Sequence, residues 1–238
     1  MGKWTRRGVL SAGVLGGTGL VIGIAVRPGN PTETAGHLVA GEGENLLHIY
    51  LKIDGDNRAT AILPHSEMGQ GAQTALTQML AEELDADWDL MSFEEAPADG
   101  AYANNALGRA YLFKGVNFPD AVVPTVDGLM LNVADAIGMQ VTGGSLSIRA
   151  TGQYFLRAAG ASVREMLVKT ASKSWGVPES EIRTAKSMLH HDSSGRSAPY
   201  SEFAAAAAEM TPSSTPKLKK TSEFSVMGQS KPRHDIPS

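Results

Sequence analysis

A chain of 238 residues that is 42% hydrophobic and 19% charged has the composition of an ordinary globular protein, long enough for one domain or two small ones. Its net charge of −4 gives no general attraction for nucleic acid. The absence of cysteine excludes disulfides, thiolate nucleophiles, thiolate zinc sites and iron–sulfur ligation by this chain itself.

Residues 1–30 read as a targeting segment. Thr5-Arg6-Arg7-Gly8-Val9-Leu10 is a twin-arginine pattern, and the uncharged run that follows to Val26 is interrupted by glycines. A spanning helix wants about 20 strongly apolar residues, so an export signal is the better reading. No clean Ala-x-Ala site follows, so an uncleaved signal would stay as a weak membrane anchor. Residues 31–45, rich in Gly, Pro and Thr, form a linker.

The folded part, residues 46–210, begins with Leu47, Ile49, Leu51 and Ile53 alternating with His48, Tyr50 and Lys52. That period of two predicts one half-buried strand over 46–53, with His48 on its outer side. Asp54-Gly55-Asp56-Asn57 supplies a hairpin turn into a second strand over 58–63. Leu76, Met79, Leu80 and Leu84 recur at helical spacing, predicting a helix over 72–84 with Glu82 and Glu83 facing solvent. A strand over 89–94 completes a ββαβ unit, and the fold class is α+β, a mixed sheet with packed helices.

Between the second strand and the helix lies Glu67-Met68-Gly69-Gln70-Gly71-Ala72-Gln73-Thr74. Glycine accepts positive φ and lets a ligand approach the backbone, and a helix N-terminus offers free N–H groups to an anion. The motif by itself reads either as an anion or cofactor cradle or as an ordinary glycine turn.

Residues 96–140 are cut into short pieces by Pro and Gly, and a loop of that length is functional or meets a partner surface. Next comes Thr142-Gly143-Gly144-Ser145-Leu146-Ser147-Ile148-Arg149, ahead of a helix over 152–175. Its hydroxyls and small residues fit an anion site, or an N-cap with a flexible approach. Gly176-Val177-Pro178 ends that helix. A short element around Ile182, a turn at Ser193-Ser194-Gly195 and a Ser201-capped alanine-rich helix to Ala208 follow. His190-His191-Asp192 reads as a surface turn, since neighbouring strand side chains point to opposite faces. Residues 211–238 form a Pro-, Ser- and Lys-rich tail, with Lys217, Lys219 and Lys220 as a solvated basic patch.

The two glycine stretches, with Ala81-Glu82-Glu83-Leu84, Trp175-Gly176-Val177-Pro178 and Pro232-Arg233-His234-Asp235-Ile236-Pro237, resemble the molybdopterin-binding large subunits of the xanthine oxidase and aldehyde oxidoreductase family. The resemblance is strongest to the exported branch of isoquinoline 1-oxidoreductase beta subunits and membrane-associated aldehyde dehydrogenases. It implies a molybdenum cofactor in the form of molybdopterin cytosine dinucleotide, held against Gly69, Gln70, Gly71, Thr74, Gly143, Gly144, Ser145 and Ser147, with no protein ligand to the metal. Gln70 would face the pterin or the metal's ligands, Ser145 and Ser147 the pterin or phosphate side, and Gly144 would leave room beside the metal. A pyrophosphate and a polar heterocycle call for such N–H groups, hydroxyls and an amide.

The resemblance further implies oxidation of an aldehyde or N-heterocycle with water as oxygen source, the cofactor carrying the difficult chemistry. Electrons would pass to a small 2Fe-2S subunit and on to a cytochrome c subunit, in the periplasm or at the inner membrane. The family's large subunits are longer than this chain. Their general-base glutamate lies in a C-terminal glycine-flanked motif that has no counterpart here, so no catalytic residue is assigned. The sequence reads as an N-terminal part of such a subunit, with 211–238 leading into a next domain and Glu67 structural at its turn. A truncated, non-catalytic exported binding or assembly module, and a phosphate-binding domain of unrelated ancestry, are the alternatives.

Overall fold

The computed structural model describes residues 31–104, 133–134, 137–143, 145, 147–213 and 215–233. The twin-arginine segment, Gly144, most of the irregular 96–140 stretch and the His234 to Pro237 part of the closing motif lie outside the described residues. Helix α1 (Pro31–Val39) occupies part of the expected linker, and strands β1 (Glu44–His48), β2 (Leu51–Asp54) and β3 (Ala59–Leu63) follow it. Helix α2 (Ala72–Leu84) then leads to β4 (Met91–Glu95). The strands form one sheet in the order β1-β2-β3-β4, antiparallel except that β4 runs parallel to β3. The molecule is α+β, with sheets and packed helices.

The single strand expected over 46–53 is two strands, turned back at Ile49 and Tyr50 and paired Leu46 to Lys52. Nor is it half-buried: every residue from Leu46 to Ile53, His48 included, is buried. Alternation implies one wet face, whereas here α2 lies against β3 and β4 while a helix from the C-terminal part, α4 (Tyr200–Ala208), covers β1 and β2. Lys52 lies within this buried run because its Nζ meets Glu44 Oε2 and Glu94 Oε2, each at 2.9 Å, and the Val39 carbonyl at 2.8 Å.

The long helix starts earlier than expected. Residues Ser147–Leu156 form a π-helical segment that passes directly into α3 (Arg157–Trp175), which closes at Gly176 with φ 66° and its N–H on the Ser172 carbonyl. Two glycines set how closely this rod approaches α2. A Cβ on Gly152 would fall 2.3 Å from Met79 Sδ, and one on Gly160 would fall 2.4 Å from the Leu80 carbonyl oxygen.

Beyond α3 stands a second sheet that the sequence reading did not resolve: β5 (Ile182–Ala185), β6 (Met188–His191) and β7 (Arg196–Pro199), all antiparallel. Strands of four residues are too short to display a period. Lys186 and Ser187 turn β5 into β6 with φ 48° and 58°, the two-residue turn whose twist suits a hairpin, here without glycine. Ser187 is also a junction. Its N–H donates to the Asp85 carbonyl, its carbonyl accepts from Asn57 Nδ2 and Tyr200 N, and its Oγ accepts from Asp87 N. Helix α4 (Tyr200–Ala208) is not capped by Ser201, whose N–H instead donates to Asn57 Oδ1. His191 is buried rather than on a surface turn, bonded to Ser194 Oγ and Glu181 Oε2.

Glu82 and Glu83, expected in solvent, are fully buried. What buries them is the tail. Glu82 Oε2 accepts the N–H groups of Ser225, Val226 and Met227 at 2.6–2.9 Å, and its Oε1 meets Lys219 Nζ at 2.9 Å. Glu83 takes Arg157 Nε at 2.8 Å and Lys219 N at 3.0 Å. Lys219 also reaches Asp85 Oδ1, so it bridges two acids rather than standing in a solvated patch. Burial drives the Glu82 carboxyl upward, but Lys219 and the three N–H groups outweigh it and hold the group below the ordinary range.

Candidate functional site

The strand-to-helix turn after β3 has the backbone its glycines imply. Gly69 and Gly71 adopt φ 91° and 73°, and a Cβ at either would meet open space, so conformation rather than crowding selects glycine there. The N-terminus of α2, however, is already occupied. Glu67 Oε1 accepts from Gly71 N at 2.8 Å and Oε2 from Gln73 N at 3.3 Å, with Arg233 3.5 Å from the same carboxylate. A side-chain carboxylate satisfies those N–H groups and the helix dipole, so a ligand phosphate finds neither there.

Gln70 is turned onto its own loop, its Oε1 accepting from Met68 N and its Nε2 donating to the Ser66 carbonyl at 3.1 Å. Thr74 is buried in the first turn of α2, where Gln73 Nε2 donates to Glu95 Oε1. In the second stretch Gly143 N donates to Ser147 Oγ at 3.1 Å, closing the entry to the π-helical segment around a buried hydroxyl. Ser145 is exposed. The two stretches meet. Ser66 N donates to Thr142 Oγ1 at 2.9 Å, and the preceding residue, His65, places its Nε2 2.7 Å from Thr151 Oγ1.

His65 and His48 are both pushed down to about 4 by burial; for His65 the Val141 main chain acts in the opposite sense and is outweighed. The unfolded chain therefore binds protons between about pH 6.5 and pH 4 that the folded chain refuses. Stability should be fully present above the upper limit and fall as pH drops through this window, by on the order of 3 kcal/mol for each ring. Urea midpoints measured from pH 7.5 to 4.5 test this, alongside NMR titration of the ring protons. Rings that titrate near 6.5 without loss of stability would contradict it.

Sequence reasoning missed three buried polar residues, Tyr102, Asn104 and His65. Tyr102 ends the short 3-10 turn after β4 and Asn104 follows it two residues on, and both are buried. His65 is buried as well, which a single polar residue in a loop does not announce. Among the described residues, no group of three or more His, Asp or Glu is placed to hold a metal ion, and no helix is long and apolar enough to cross a membrane. An open cleft of about 500 Å³ lies elsewhere, between the end of α1 and the sheet, lined by His37, Lys52, Glu44 and Glu94. Its charges are already paired.

No protein-family model matches the chain. It is 34% identical over 160 residues to the isoquinoline 1-oxidoreductase subunit beta of Brevundimonas diminuta, a stretch covering 66% of this chain and 16% of that protein. It is 25% identical over 187 residues to the membrane-bound aldehyde dehydrogenase [pyrroloquinoline-quinone] of Gluconacetobacter polyoxogenes, covering 78% of this chain and 19% of that protein. The chain thus spans less than a fifth of the length of the curated relatives it matches. Both relatives carry oxidoreductase names, one of them as a subunit and the other as membrane-bound.

Proposed function

We propose that this chain is the N-terminal part of the large subunit of an exported molybdenum hydroxylase acting on an aldehyde or N-heterocycle, with residues 46–210 as part of its molybdopterin-binding domain. The observation that carries the reading is the Ser66–Thr142 hydrogen bond, which joins the two glycine stretches that the resemblance assigns to one cofactor. When bound, the cofactor supplies oxidative hydroxylation with water as oxygen source. The chain's own residues do the positioning. Gly69 and Gly71 keep the turn open for the flat edge of a ring system, Gln70 fixes the shape of that turn, and Ser145 offers an exposed hydroxyl. Glu67 holds Gly71 and Gln73, which favours the heterocycle over the pyrophosphate at the start of α2. Ser145 and Ser147 then serve the phosphate side, and Gly144 leaves room beside the metal.

In this reading electrons leave through a separate 2Fe-2S subunit and a cytochrome c subunit, and the twin-arginine segment delivers the folded protein to the periplasm. A quinone in place of the pterin is the second reading, favoured by the name of the aldehyde dehydrogenase relative. A non-catalytic binding or assembly module is the third. Metal analysis and mass spectrometry of the cofactor released from the product of the native reading frame separate them: molybdenum with a pterin supports the first, a quinone the second, neither the third. In that protein Gln70→Ala, which removes the side-chain bonds to Met68 N and the Ser66 carbonyl that shape the turn, should lower molybdenum content about 10-fold, the equivalent of ~1.4 kcal/mol of lost positioning, with the far-ultraviolet dichroism unchanged. Normal molybdenum content in the variant would remove Gln70 from the site.

A further inference from the structure

The polar atoms beside the junction are not all satisfied. Asn104 is 5% exposed, yet neither its Oδ1 nor its Nδ2 has a hydrogen-bond partner among the described residues. The Tyr102 hydroxyl, fully buried, has none either. Buried side-chain polar atoms are nearly always paired, so a cluster of orphans calls for an explanation.

The main chain of Asn104 is tied to the approach to the second glycine stretch. Asn104 N donates to the Met139 carbonyl at 3.0 Å, and three residues on, Thr142 Oγ1 accepts from Ser66 N. Three residues of extended chain reach at most about 11 Å, so Asn104 and the turn are held at the two ends of one short segment. From the other side, Tyr102 packs edge-on against Tyr50, 6.1 Å between centroids, and Tyr50 packs edge-on against Phe155 at 6.5 Å. Phe155 belongs to the π-helical segment that also carries Thr151, the partner of His65.

Resting on the function proposed above, we infer that the Asn104 carboxamide is a ligand-binding group that receives an amide-like edge, one donor beside one acceptor, of a fused nitrogen heterocycle such as a pterin. A carboxamide carries that pair of functions in the complementary sense. The Tyr102 hydroxyl, two residues before Asn104, supplies a further unpaired polar group.

Asn104→Leu separates this role from a structural one, because it keeps the shape and removes both hydrogen-bonding functions. Replacing a buried polar group that has no partner by an apolar isostere is neutral or stabilising, whereas replacing one that is paired is costly. In protein from the native reading frame made in a host without pterin synthesis, Asn104→Leu should melt at or above the wild-type temperature. In a host that makes the cofactor, the pterin released by acid oxidation and counted by its fluorescence should fall at least 10-fold per mole of protein. Tyr102→Phe, which keeps its ring packing, should show a smaller loss of pterin with no loss of melting temperature.

A ligand-free Asn104→Leu protein that melts well below wild type, or fails to fold, would show that the carboxamide has structural partners and would overturn the inference. Wild-type pterin content in a stable Asn104→Leu variant would overturn it while leaving the proposed function intact. Wild-type protein that carries no pterin would overturn both.

Discussion

Glu82→Ala is expected to lower the unfolding free energy by about 3 to 5 kcal/mol, the cost of removing one partner from a buried ion pair. The substitution leaves the Lys219 ammonium with Asp85 alone and strands the N–H groups of Ser225, Val226 and Met227, all of which converge on one carboxylate. Residues 217–229 should then come away from α2 while the sheets persist, and limited proteolysis should cut there first. Urea unfolding gives the energy and mass spectrometry of the digest gives the site. A variant within about 1 kcal/mol of wild type, the ordinary range of a surface change, would mean that water replaces the carboxylate. Since Glu82 is held below its ordinary range, the same contribution is present above about pH 4.5 and should be lost as the pH falls through the depressed value.

The second large effect is expected at Gly160. Its missing Cβ lets α3 approach the backbone of α2, and the atom that a side chain would strike is the Leu80 carbonyl oxygen, 2.4 Å from the ideal Cβ position. Backbone cannot rotate aside as a side-chain end can, so the helices must separate over a shared core that includes Leu80, Leu84, Ala159 and Val163. Gly160→Val should cost about 3 kcal/mol or more, at the upper end of overpacking effects. Gly152→Ala should be milder, because there the clash is with the end of the Met79 side chain. Equal melting temperatures for the two variants would show that the helix pair slides without resistance.

The parts of this structure that were legible in the sequence are those in which one stretch carries its own signal. The Asp54 to Asn57 turn, helix α2 with its Leu76, Leu80 and Leu84 stripe, and the positive φ at Gly69 and Gly71 each follow from local chemistry. What was illegible depends on partners far along the chain. Glu82 and Glu83 look like solvated residues until a segment more than 130 residues away supplies cations and N–H groups. His48 and Lys52 sit at positions that alternate as a wet face would, and are covered by elements the local pattern cannot announce. At the candidate site the same division holds. Glycines advertise the turn, whereas the occupation of the α2 N-terminus by Glu67 and the unpaired amide of Asn104 are visible only once distant residues are placed around them.

The Glu82 cage also bears on how the chain acquires its shape as it is made. Glu82 and its Val226 partner are 144 positions apart, and Ser187, which binds Asn57, Asp85, Asp87 and Tyr200 together, follows the first sheet by about two thirds of that interval. At ribosomal speeds of about 5–20 residues per second, a nascent chain waits roughly 7 to 30 s between the appearance of Glu82 and that of the groups that neutralise it. Through that interval α2 cannot settle on its final neighbours without burying uncompensated charge, which holds the early ββαβ unit short of completion. Contacts of such long range close slowly, so the unit should need shelter from aggregation until its last segment emerges.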